Sequence, residues 1–155
     1  MATQENAIAP NESDIVSDVR EFFVQYGATF VELATGKRSD VSALLEFYGA
    51  PLRFVGATFD MVMQNDADIV GAGGMGGEID HLHRDGFGAS ELDKCDIEVL
   101  NPRAVLVDAA WLRRDESGAL TSRFCVIYLM IHGINGWRVT SAISLADESP
   151  RTHAR

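Results

Sequence analysis

The sequence predicts an α+β domain in which three N-terminal helices precede a strongly curved antiparallel sheet laid down as a meander. Residues 12–35 place Ile15, Val19, Phe22, Tyr26, Phe30 and Leu33 at steps of three and four, the spacing of one apolar helical stripe. Residues 105–113 and 124–131 are long runs rich in apolar, β-branched and aromatic side chains. Between them lies Asp115-Glu116-Ser117-Gly118, whose glycine can supply the positive φ of a short hairpin loop. After His132-Gly133-Ile134-Asn135-Gly136 the chain returns through a further strand, residues 137–145. Helices grouped ahead of hairpin-connected strands imply helices packed on one sheet face.

Taken in order, the first helix has Asn11 or Ser13 as its cap, Glu12 and Asp14 at the positive end of its dipole, and Gly36 closing it. Ser39 or Asp40 caps a short second helix with Val41, Leu44, Leu45 and Tyr48 inward, ended by Gly49 and Pro51. Residues 52–55 read as a strand and 59–64 as an alternating segment. A third helix is expected from Asn65 or Asp66 to Asp85, with Met75, Ile79 and Leu82 on one side. Its first half holds Gly71, Gly73, Gly74, Gly76 and Gly77, each costing about 0.8–1 kcal/mol relative to Ala inside a helix. Either the helix starts near Met75 or its backbone approaches a neighbour closely. The single domain is expected over residues 12–146, with loose ends at 1–11 and 147–155.

Both faces of the long strands are substantially apolar. In residues 104–113, Ala104, Leu106, Asp108, Ala110 and Leu112 point one way, and Val105, Val107, Ala109, Trp111 and Arg113 the other. A half-solvated sheet would alternate more cleanly, so helices cover one face and a second subunit is expected on the other.

Composition narrows the function classes. With 46% hydrophobic and 23% charged residues, the chain of 155 residues is that of an ordinary globular domain. No apolar run reaches the ~20 residues that span a bilayer. The first residues lack the pattern of a secretory signal, so a cytoplasmic location is expected. A formal net charge of -10 disfavours nucleic acid as a partner, since neutralising phosphates requires clustered Lys and Arg. Cys95 and Cys125 form no Cys-x-x-Cys and read as buried free thiols.

Two motifs invite over-reading. Residues 71–76 contain a literal G-x-G-x-x-G, with Glu91 near the position of a ribose-binding acid. The preceding Asn65, Asp66 and Asp68 leave no buried strand, and no strand–helix alternation follows, so close packing is the preferred reading and no cofactor is expected. His81 and His83, two apart, cannot share a helix face. Glu78, His81 and Asp85 do share one, and read as solvated surface rather than a metal site.

Asp108 is the most informative single residue. A carboxylate among Leu106, Val107, Ala109 and Ala110 either meets a cation from a neighbouring strand, such as Arg103, Arg123 or Arg138, or faces a cavity with its pKa raised, as acid–base chemistry requires. Tyr128 and His132 share a face. A one-residue bulge at Gly118 would put Asp108 on that face too, and its absence on the other, because a single-residue slip flips every side chain. Tyr26, on the helical stripe, offers a hydroxyl to the same space or lies satisfied in the core.

The order of elements, together with Leu45-Glu46-Phe47-Tyr48-Gly49-Ala50-Pro51-Leu52-Arg53-Phe54 and the closing Asn135-Gly136-Trp137-Arg138-Val139, resembles the nuclear transport factor two-like, or cone-fold, superfamily and its SnoaL-like branch. The resemblance implies a cone-shaped pocket between helices and sheet, and a homodimer formed through the outer sheet face. A ketosteroid-isomerase-like member would carry an Asp just after residues 52–55. Here Gly56 and Ala57 stand there and Asp60 comes later, so that activity does not carry over. The expected function is an apolar pocket for a small hydrophobic molecule, with cofactor-free acid–base catalysis of the isomerase, cyclase or dehydratase type as its enzymatic form. The alternative is a non-catalytic dimeric module that binds a ligand or a protein. The candidate catalytic residues are Asp108, Tyr128 and His132, and the candidate pocket residues Tyr26, Tyr48, Phe54 and Trp111.

Overall fold

The computed structural model describes residues 11–145, so the expected loose ends, Asn11 apart, lie outside the described residues. Helix α1 (Glu12–Ala34) starts where the Asn11 side chain accepts a hydrogen bond from the Asp14 N–H at 2.8 Å. It buries Ile15, Val19, Phe23, Tyr26, Phe30 and Leu33. Phe23 rather than the expected Phe22 lies at the centre of the stripe, and Phe22 is only partly buried beside it. The expected second helix is a 3-10 turn (Val41–Glu46), capped by Asp40, and Tyr48 does not belong to it. Tyr48 instead opens strand β1 (Tyr48–Val55), followed by β2 (Asp60–Met63).

The expected third helix divides into α2 (Asp66–Val70) and α3 (Met75–Arg84). The glycines explain the division. An added Cβ at Gly74, Gly76 or Gly77 would lie 2.0 Å from the carbonyl oxygen of Asp68, Val70 or Ala72 respectively, so α3 can begin only where the backbone folds tightly onto the turn after α2. The partner of this close approach is α2 and its connection, not the sheet. No strand leads into the glycine segment, which runs from the end of α2 into the first turn of α3.

Four long strands follow: β3 (Phe87–Asn101), β4 (Ala104–Asp115), β5 (Leu120–Gly133) and β6 (Gly136–Ser144). They form the expected antiparallel meander, within one sheet of order β2-β1-β6-β5-β4-β3. One pair departs from antiparallel: β1 runs parallel to β6, so the sheet is mixed. Register shifts interrupt β3–β4 at three places and β4–β5 and β5–β6 at one each, and such bulges bend a sheet. On its concave side Val105, Val107, Ala109, Trp111, Val126, Tyr128, Met130, Val139 and Ala142 are buried with the stripe of α1. Among the described residues no helix is long and apolar enough to cross a membrane.

Candidate functional site

Between α1, α3 and the concave face lies a cavity of about 450 Å³. This falls within the usual range of small-molecule sites. Helix α1 contributes Tyr26 and Phe30, α3 contributes Met75 and Glu78, and β4 contributes Trp111 and Arg113. Phe124, Tyr128 and Ser144 complete the wall from β5 and β6, and Ser90 lies beside Arg113 on β3. Phe54, Phe59 and Met61 close the side formed by β1, β2 and the turn between them, where Phe59 remains 40% exposed.

The polar groups in this apolar space are few and ordered. The Trp111 indole N–H donates to the Tyr128 hydroxyl at 3.0 Å, and the Tyr26 and Tyr48 hydroxyls share a short hydrogen bond. Burial, above all, raises the pKa of Tyr26, Tyr48 and Tyr128, so all three remain neutral phenols over the physiological range. They are hydrogen-bond donors and acceptors here, not bases.

Arg113 stands apart from the other cations among the described residues. Its guanidinium carbon lies 4.1 Å from the centroid of the Phe124 ring. Its Nε is buried and has no hydrogen-bond partner among the described residues. Burial pulls its pKa down, while the negative charge of Glu78 opposes that shift. A guanidinium keeps its proton regardless. Glu78 lines the same cavity without forming an ion pair with Arg113.

The structure brings Tyr26, Tyr128, Phe54 and Trp111 together around the cavity, with Tyr48 directly behind Tyr26. It does not bring Asp108 to them. The β4–β5 register pairs Val107 with Tyr128 and Asp108 with Ile127, and cross-strand partners share a face, so Asp108 projects from the convex side. The irregularity in this ladder falls at Arg113/Arg114, which leaves Thr121 over, and not at Gly118. On the convex side the Lys94 ammonium donates to Asp108 Oδ2 at 3.0 Å, a different cation from the three arginines expected. His132 lies at the exposed end of β5 with its ring 5.0 Å from that of Trp137, away from the cavity.

Arg113 and Glu78 are the charged residues of the cavity lining, and the sequence reading selected neither. Each had a signal. Arg113 continues the inward row Val105, Val107, Ala109, Trp111, and Glu78 stands three residues after Met75 and four before Leu82, on the apolar side of α3. Of the expected surface group, His81 and Asp85 do lie exposed, with His81 Nε2 3.1 Å from Asp85 Oδ2, and Glu78 alone departs by lining the cavity; His83 Nδ1 lies 3.2 Å from the Ala34 carbonyl oxygen. Among the described residues no cluster of three or more His, Cys, Asp or Glu is placed to hold a metal ion.

Solved structures share this architecture at low sequence identity. A nuclear transport factor 2 (NTF2-like) superfamily protein from Salmonella enterica superposes with a TM-score of 0.65 at 13% identity, covering 90% of this chain and 95% of that one. An NTF2-like protein with a cystatin-like fold from Novosphingobium aromaticivorans gives 0.60 at 18% identity, covering 93% and 96%. A putative Ca/calmodulin-dependent kinase II association domain from Exiguobacterium sibiricum gives 0.59 at 10% identity, covering 93% and 100%. A search of curated proteins finds no match. The profile of an NTF2-like protein family, DUF6841, matches residues 14–147, and with nearly the whole domain inside that match the chain belongs to this family.

Proposed function

We propose that the protein binds a small, largely apolar molecule in the cavity between α1, α3 and the concave sheet face. The observation that carries this reading is the combination of about 450 Å³ of space, aromatic walls, and polar groups from six elements converging on it. In an enzymatic form of this function, Glu78 is the base within reach of a bound molecule, and the neutral phenols of Tyr26 and Tyr128 donate hydrogen bonds to a developing oxyanion. Isomerase, cyclase and dehydratase chemistry can run on these parts alone. The free thiols of Cys95 and Cys125 agree with a reducing, cytoplasmic setting.

The second reading, a dimeric module, is favoured by the convex face. Leu106, Leu112, Ile127, Leu129 and Ile131 form a half-buried apolar field there, and Ile143 beside them is 48% exposed. The two readings are compatible, since they use opposite sides of one sheet.

Binding of the neutral dye N-phenyl-1-naphthylamine tests the first. The expected result is saturable fluorescence enhancement that Ser144→Trp, which fills the cavity wall, reduces at least tenfold while the fold is retained. Equal enhancement in the wild type and Ser144→Trp would move binding out of the cavity, and no enhancement in either would overturn the reading.

A further inference from the structure

We infer that the cavity selects molecules carrying a single carboxylate on an aromatic or otherwise apolar body, and that Arg113 is the group that receives the carboxylate. This rests on the binding role proposed above. A buried charge is costly unless it is paired, and a guanidinium cannot escape the cost by losing its proton. Arg113 is half-buried as a residue, with its Nε fully covered; Ser90 stands opposite on β3, and the guanidinium stacks on Phe124. Its Nε nevertheless has no hydrogen-bond partner among the described residues. By contrast, Arg53, Arg114 and Arg123 each hold a carboxylate, at 2.7 Å, 2.7 Å and 2.9 Å respectively.

The remaining lining sets the charge of the guest. Planar, forked donors match a carboxylate, and the stacked ring fixes the plane in which it is met. Glu78 lines the same space and repels additional negative charge, which favours a monoanion over a phosphate dianion. Phe30, Phe54, Phe124 and Trp111 leave apolar surface for the body of the molecule.

The test compares naphthalene-2-carboxylate with the neutral, similarly shaped naphthalene-2-carboxamide by titration calorimetry. The wild type is expected to bind the carboxylate at least tenfold more tightly. Arg113→Gln, with its fold checked by circular dichroism, is expected to lose that preference while holding the amide within about twofold, and Arg113→Lys to restore part of it. Equal binding of the two probes to the wild type, or an unchanged ratio in Arg113→Gln, would overturn the inference and leave the cavity as a binding site. If neither probe binds while the neutral dye does, the inference also fails. If none of the three binds, the binding role fails with it.

Discussion

The Trp111 indole N–H donates its hydrogen bond to the Tyr128 hydroxyl at 3.0 Å, joining adjacent strands at a place where water is largely excluded. Trp111 itself is 4% exposed. Removing the hydroxyl in Tyr128→Phe strands the indole N–H in an apolar wall, at an expected cost of about 1–3 kcal/mol. Urea denaturation should show a lower midpoint with an unchanged slope. An unshifted midpoint would mean that the indole finds another acceptor.

The chain has three tyrosines, and all three are Tyr26, Tyr48 and Tyr128 of the buried cluster. Each has a pKa raised above its ordinary value of 10.0, chiefly by burial. Such groups contribute stability that is complete below the unfolded value and is lost as pH rises from about 10 through the higher folded value. Tyrosinate absorbance at 295 nm should therefore stay absent in the native protein past pH 10 and appear together with unfolding. A smooth non-cooperative titration near pH 10 in folded protein would contradict the burial of the cluster.

Asp108→Asn should change affinity for a cavity ligand by less than twofold, because the carboxylate projects from the other side of the sheet. Its stability effect should remain under about 1 kcal/mol, since the Lys94–Asp108 pair is about one-third exposed on each side chain, 33% and 32%. A tenfold loss of ligand affinity would place Asp108 in the site. With naphthalene-2-carboxylate as the ligand, the same measurement on Arg113→Gln serves as the positive control.

The contrast between Asp108 and Tyr128 also shows where sequence reading ends. Alternation along β4 separates Trp111 from Asp108 without any structure, and the stripe of α1 picks out Tyr26 as inward. Which of the two β4 faces meets Tyr128 depends on one residue of register across the hairpin. That residue is Thr121, whose hydroxyl donates to the Arg113 carbonyl at 3.1 Å, a contact with no local sequence signature. Glu78 was legible as a member of a helix face, but its side became identifiable only once the glycines had fixed the start of α3. The parallel β1–β6 pair was hidden for a different reason, since β1 and β6 are separated by most of the domain.

Gly76→Ala should destabilise by about 1–3 kcal/mol or prevent folding, because the new methyl would lie 2.0 Å from the Val70 carbonyl oxygen. Gly73→Ala meets nothing within 4 Å and should be neutral or stabilising by up to about 1 kcal/mol. Thermal melts of the two variants side by side provide the check. Equal effects would remove close backbone packing as the reason for the glycine segment.

If the convex face joins two copies, Ile127→Asp should yield a monomer by sedimentation at concentrations where the wild type sediments at twice 16.9 kDa. Ile127 pairs with Asp108 on β4 and Ile143 on β6, which puts it within that apolar field. Ligand affinity should survive the substitution. A wild type that sediments as a single copy would dispose of the dimer.

The pairing of Tyr48 with Val139, where β1 lies alongside β6, has a consequence for biosynthesis. A ribosome must have made almost the entire domain before the strand at residues 48–55 can gain its inner neighbour. Until then the aromatic wall has no finished margin on that side, and the nascent chain carries an unclosed apolar seam that invites chaperone capture. Stalling translation before residue 136 should therefore leave a protease-sensitive chain, and release beyond residue 144 should convert it to a resistant one.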